Sequence, residues 1–338
     1  MALLFPYVGQ STFHHVIEIF RTNQFFATLL LLPYTFLIRI HSLIHPERYE
    51  VQAHDTPFSK YLFTNVLESA IFQNILACFI VFLAANFVNR HIIQNRISKY
   101  QTLLPGLFFI LLTAGIPGGM ICSPVLLSCF FILLALLNIN GIYKTHEFAI
   151  KIFNTGLHLA FALLLYSGNV SLWGLAVISI LILRSFRLNE ILILTSGMFV
   201  PIFLAGVYYY WHGELDLIWE YFQFGNGILS LFWRLSLESI LYLAAIGLVV
   251  IFVIARYNNY TMKNAIQVQK KIDIIYWFMF FSLVITFFVN GLSATHLLIL
   301  AIPFSMFIGL SYEKMKSSML AEVLHIVMII LILTTHFA

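Results

Sequence analysis

Charge is what this 338-residue sequence has least of, with 18 lysines and arginines and 14 aspartates and glutamates making 9% of its residues. Because 61% of its residues are hydrophobic, too few charges remain to clothe a water-soluble domain of this length. Cysteine is scarce too, and Cys78, Cys122 and Cys129 lie in or beside apolar runs. They have neither the spacing of a zinc site nor the even count of a disulfide framework, so they read as small core residues. No glycine-rich phosphate cradle, nucleophile elbow or Cys-His arrangement is present. Neither an ATP-driven role within this chain nor a cofactor is therefore expected. No basic residue precedes the apolar patch "ALLFPYV" and no small-residue cleavage site follows it, so no cleavable signal peptide is expected. The formal charge of +4 implies no nucleic-acid partner, because the basic residues sit in short loops between apolar runs.

What is present is a succession of those runs. Residues 25–44, 66–88, 103–117, 123–140, 152–168, 170–184, 189–211, 235–255, 273–291, 293–311 and 320–337 predict an all-α, polytopic transmembrane bundle of about eleven spans in one integral membrane domain, 1–338. Within 103–140, Gly115, Pro117, Gly118, Gly119 and Pro124 fit either a tight outer hairpin, the preferred reading, or a re-entrant break. With the N-terminus inside and the C-terminus outside, the clusters Arg90–Lys99, Lys144–Lys151, Arg184–Arg187, Arg256–Lys271 and Lys314–Lys316 all fall on the inner side, as the positive-inside rule requires. In "RSFRLNE", Arg184 and Arg187 then mark an inner turn, with Glu190 partly neutralising them. Residues 1–23 predict an interfacial helix, since Phe13, Val16, Ile17 and Phe20 share one face. Residues 45–65 form the first outer loop and 256–272 a basic inner loop. At 212–226 an outer amphipathic helix is predicted, with Leu215, Ile218, Trp219 and Phe222 on its apolar face.

Ionisable groups at the outer ends of spans are the candidate site. Glu68 opens the second span, Arg234 and Glu238 form an i, i+4 pair in the eighth, and His296 lies at the ninth-to-tenth turn. With Glu47, Glu50 and Asp55 of the first loop they outline an outward-opening polar cleft, because charges exposed to lipid there would be costly. The Arg234–Glu238 pair also fits a salt bridge that only orients helices. His41, His45, His54 and Asp55 are close in sequence, but Pro46 and a loop interrupt them and no metal site is expected.

The segments "FRTNQFFATLLLLPYTFLIRI", "FNTGLHLAFALLLYSG" and "RSFRLNE", followed by Gly197 and Pro201, resemble a family of polytopic membrane proteins found in Bacteroidota. That resemblance implies a helical protein of the cytoplasmic (inner) membrane and supplies no catalytic residue. A carotene oxygenase label borne by some members would need several histidines converging on iron, and the 12 histidines here are scattered. An acidic first loop with surface helices also resembles the GT-C class of membrane glycosyltransferases, which use an outward-facing carboxylate on polyprenyl-phosphate sugars. This resemblance implies Asp55 or Glu47 as general base or metal ligand and Arg234 as the holder of the lipid phosphate. The chain departs from that class in having no Asp-Asp or Glu-Asp pair in the loop and no large outer domain. The expected function is therefore envelope biogenesis on a polyprenyl-linked glycan, with membrane lipids and other envelope proteins as partners. Two other readings stand beside it: a non-enzymatic scaffold of an envelope assembly or secretion machine, and a lipid or small-molecule transporter.

Overall fold

Where backbone polar groups cannot reach water, a helix bonds them within one segment, and a helix occupies every apolar run that lies among the described residues. The computed structural model describes residues 16–22, 25–222, 251, 253–261, 264–288 and 294–337. The predicted span 235–255 lies almost wholly outside them. In order, the helices are α1 (Val16–Phe20), α2 (Phe25–Ile38), α3 (Ile40–Ile44), α4 (Pro57–Tyr61), α5 (Ala70–Gln94), α6 (Leu104–Gly115), α7 (Pro124–Asn140), α8 (Phe148–Leu165), α9 (Leu172–Leu183), α10 (Leu188–Trp211), α11 (Tyr257–Thr261), α12 (Ile266–Phe288), α13 (Leu297–Glu313) and α14 (Ser318–Phe337). A π-turn at Leu62–Val66 and 3₁₀ turns at Ser167–Ser171, Leu215–Phe222 and Ala294–His296 connect them. No strand occurs among the described residues. Ser69 and Ser123 start α5 and α7 by accepting the Phe72 and Leu126 N–H groups, the usual work of an N-cap hydroxyl.

Among the described residues, four helices are long and apolar enough to cross a membrane: α5, α8, α10 and the stretch Ala294–Glu313 that ends as α13. The apolar window of α10 is only 28% buried, against 72% for Ala294–Glu313. In water α10 would expose Leu192, Phe199, Phe203 and Leu204 along one side, an apolar surface that hydrocarbon accommodates. At 24 residues it extends ~36 Å, enough to cross a ~30 Å hydrocarbon core. The chain is a membrane protein with α6 and α13 at its centre, since Leu104–Leu111 and Leu298–Phe307 are buried without a break.

Several predicted boundaries move. The span 25–44 breaks at Arg39, which leaves helical geometry (φ −96°, ψ 16°). Helices α6 and α7 do not pack closely on each other as a tight hairpin would: α6 packs mainly on α13 and α5, and α7 mainly on α8 and α5. Of the 1–23 helix, only Val16–Phe20 lies in a described helix, and Ile17 and Phe20 are buried. The Val16 and Ile17 N–H groups donate to the two Glu322 oxygens of α14 at 3.1 and 3.0 Å, so the apolar face meets protein rather than a membrane surface. The amphipathic segment at 212–226 winds as a 3₁₀ helix over Leu215–Phe222, which eclipses every third residue. Ile218 and Tyr221 turn inward and Trp219 is 70% exposed, not the single face expected from a 3.6-residue period. The loop predicted at 256–272 is largely helical in α11 and the first turns of α12, because glutamine and lysine carry the helix on beyond the apolar stretch.

Antiparallel succession gathers the connections at two ends. At one end the 45–65 segment meets the C-terminus of α8, and Tyr166 meets His296. At the other, Lys271 reaches Asn95, Glu313 accepts from Ser98, and Arg21 reaches Tyr312 and Met315.

Candidate functional site

The segment between α3 and α5 is apolar enough to pack but must satisfy its own backbone, and its side chains do so. Asn74 donates to the Glu47 carbonyl at 3.0 Å, and Gln73 accepts the Tyr49 N–H at 2.9 Å, fastening the loop to the first turns of α5. Thr56 caps α4, with Pro57 at its first position, and its hydroxyl also donates to the Leu164 carbonyl at 2.6 Å. Lys60 pairs with Glu220 at 3.1 Å. The Phe58 N–H donates to the Tyr221 hydroxyl at 3.1 Å, which in turn bonds Tyr209 at 2.8 Å. The 3₁₀ segment, α4 and α10 are thus joined through side-chain hydroxyls.

Asp55 lies half-buried inside this arrangement. Its carboxylate accepts from the Tyr49 hydroxyl at 3.0 and 3.1 Å and from the Gln52 N–H at 2.7 Å. Burial pushes the Asp55 carboxyl up from the usual carboxylate range, against the pull of the Gln52 and Tyr49 hydrogen bonds and of His54 and Lys60 nearby. Burial and the adjacent carboxylate push the Tyr49 phenol up, so Tyr49 stays a donor. Tyr166 is within electrostatic reach of both Asp55 and Tyr49. Its hydroxyl bonds His296 Nδ1 at 2.8 Å, with the two rings stacked.

Asp55 is bonded to Tyr49 and His296 to Tyr166, and the two pairs lie near enough to interact electrostatically. Glu47 and Glu68 are exposed, and neither makes a side-chain hydrogen bond or ion pair among the described residues. Arg234 and Glu238 lie outside the described residues. At the opposite end, Arg184 Nε pairs with Glu190 Oε1 at 2.9 Å and its guanidinium lies 4.0 Å over the Phe148 ring. Glu190 is 2% exposed and neutralises Arg184 alone, because Arg187 turns outward. The His41 and His45 rings lie 5.2 Å apart, tilted by 47° to each other. Among the described residues no three His, Cys, Asp or Glu side chains converge as metal ligands would.

Sequence reasoning passed over Arg39. It is fully buried and donates Nη1 to the Met120 carbonyl at 2.9 Å and Nη2 to the Gly119 carbonyl at 2.6 Å. A turn of backbone between α6 and α7 would otherwise leave carbonyls unbonded in an apolar setting, and the guanidinium fork suits that geometry. The signal was available: an arginine within "TFLIRIHSL" is too expensive in hydrocarbon to be idle. Tyr49 and Tyr166 gave no comparable signal, because tyrosine is ordinary at a membrane interface. Cys78, Cys122 and Cys129 are buried free thiols. Compared with protein-family models, curated proteins and solved structures, the chain gives no match.

Proposed function

We propose that this is a multi-pass protein of the bacterial cytoplasmic membrane, with about eleven spans. Its N-terminus lies inside and its C-terminus outside, and it handles a polyprenyl-phosphate-linked glycan at the outer leaflet during envelope biogenesis. The observation that carries this reading is Asp55, a half-buried carboxyl raised from its ordinary range in a loop tied down on three sides. A carboxyl moved toward neutrality and hydrogen-bonded to a tyrosine suits proton transfer. In glycosyl transfer it would take the proton of an acceptor hydroxyl as the new C–O bond forms and the lipid phosphate departs. Glu47, exposed in the same loop, suits this role less. Arg234 would hold the lipid phosphate.

A second reading, a non-enzymatic scaffold for envelope assembly, is favoured by the three hydrogen bonds that Asp55 accepts from its own loop, which make it a brace. Native mass spectrometry of the purified chain separates the two. The glycan-handling reading expects a polyprenyl-phosphate species on the wild type and on Asp55→Asn, and its loss from Arg234→Ala. Bulk phospholipid alone on all three overturns it and leaves the scaffold.

A further inference from the structure

At the end opposite Asp55, five basic side chains from four elements converge on the turn between α7 and α8. Lys144 and Lys270 lie 5.5 and 5.6 Å from the Tyr143 ring centroid, and Lys151 donates to the Gly141 carbonyl at 3.1 Å. Lys271, only 6% exposed, donates to Asn95 Oδ1 at 2.8 Å, and Arg96 is close enough to perturb it. None of the five meets a carboxylate within 4.0 Å among the described residues. A nearly buried ammonium whose partner is a neutral amide is expensive to maintain unless an anion comes to it.

The same helix supplies an apolar partner for such an anion. Lys270, Asp273, Trp277 and Phe280 recur along one stripe of α12 at i, i+3, i+7 and i+10. Asp273, Trp277 and Phe280 line an open groove of about 510 Å³ with Ile182, Tyr257 and Tyr276. Asp273 accepts from the Tyr257 hydroxyl at 2.7 Å and keeps its negative charge in the groove, so an anion is turned away from it toward the lysines on the Tyr143 side. Cations at one level of a helix and exposed aromatic side chains about two and three turns further on match a phospholipid, head and tail.

We propose that this end binds one anionic phospholipid. Its phosphate sits beside Tyr143 among Lys144, Lys151, Lys270 and Lys271, and its acyl chain lies along Trp277 and Phe280. The site is independent of any chemistry at Asp55. Lipid retention by the full chain in a non-ionic detergent tests it, with phosphatidylglycerol and phosphatidylcholine of matched acyl chains titrated separately and read by native mass spectrometry. The wild type should hold one phosphatidylglycerol at least about tenfold more tightly than phosphatidylcholine, and the Lys144→Gln/Lys270→Gln double variant should lose that preference. Trp277→Ala should weaken both lipids alike. Because Lys144 is exposed and Lys270 only half-buried, the double variant should melt with the wild type, which separates lost binding from lost fold. Equal affinity for the two lipids in the wild type, a preference that survives the double substitution, or inorganic phosphate competing as well as the lipid would each overturn the proposal.

Discussion

Burial raises Asp55 while Tyr49 and Gln52 hold its charged form, and the net direction sets how the loop answers to pH. When the loop opens, Asp55 returns to an ordinary aspartate near pKa ~3.9. The closed loop, with the higher value, binds the proton more tightly. Closure is therefore strongest below the ordinary value, weakens as pH rises through the raised value, and levels off once both states are ionised. Amide exchange over residues 49–59, corrected for intrinsic rates, should show opening becoming easier from about pH 4 toward neutrality in the wild type and flat in Asp55→Asn. The opposite slope contradicts the assignment. At this scale the sequence was partly legible. Asp55 and His296 stood out by charge and position, whereas their tyrosine partners Tyr49 and Tyr166 depend on a fold no local pattern encodes. Arg39 was legible in principle, since a lone arginine in an apolar run demands a partner, but its partners are carbonyls about 80 residues along the chain.

Helices were the most legible elements, because an apolar run of sufficient length has few other ways to bond its backbone. Their winding and joints were less so. The 3₁₀ turn at Leu215–Phe222 follows from Tyr221 seeking Tyr209 and Phe58, a tertiary preference that overrides the amphipathic period. The crossing of α8 and α10 depends on small residues instead. A Cβ on Gly156 would lie 2.1 Å from the Leu194 carbonyl oxygen, and one on Gly197 2.2 Å from that of Phe153. Backbone cannot yield as a side chain can, so the helices would have to separate. Gly156→Ala should destabilise the protein in detergent by about 2 kcal/mol or more. Gly174→Ala, whose Cβ meets only the Phe281 ring at 2.9 Å, should lose about 1 kcal/mol or less. A reversed order in thermal melts would show that the α8–α10 contact does not matter as described.

For the whole molecule, the same alternation that stacks the helices sorts their connections by charge. Glu47, Glu50, Asp55, Glu214, Asp216 and Glu220 gather at the end that holds Tyr166 and His296, while Lys144, Lys151, Arg184, Lys271 and Lys314 gather at the other. Both proposed sites depend on which end faces the cytoplasm: the Asp55 cluster must meet an outer-leaflet substrate, and the Lys144–Lys271 cluster the anionic lipids of the inner leaflet. Cysteine labelling in intact cells decides this. With Cys78, Cys122 and Cys129 replaced by alanine, single cysteines at Glu50 and Glu214 and at Lys144 and Lys316, all exposed positions, would be treated with a membrane-impermeant maleimide. Labelling of the first two in intact cells, and of the last two only after permeabilisation, is the predicted result. Labelling of all four from outside, or of the lysine positions alone, would contradict it.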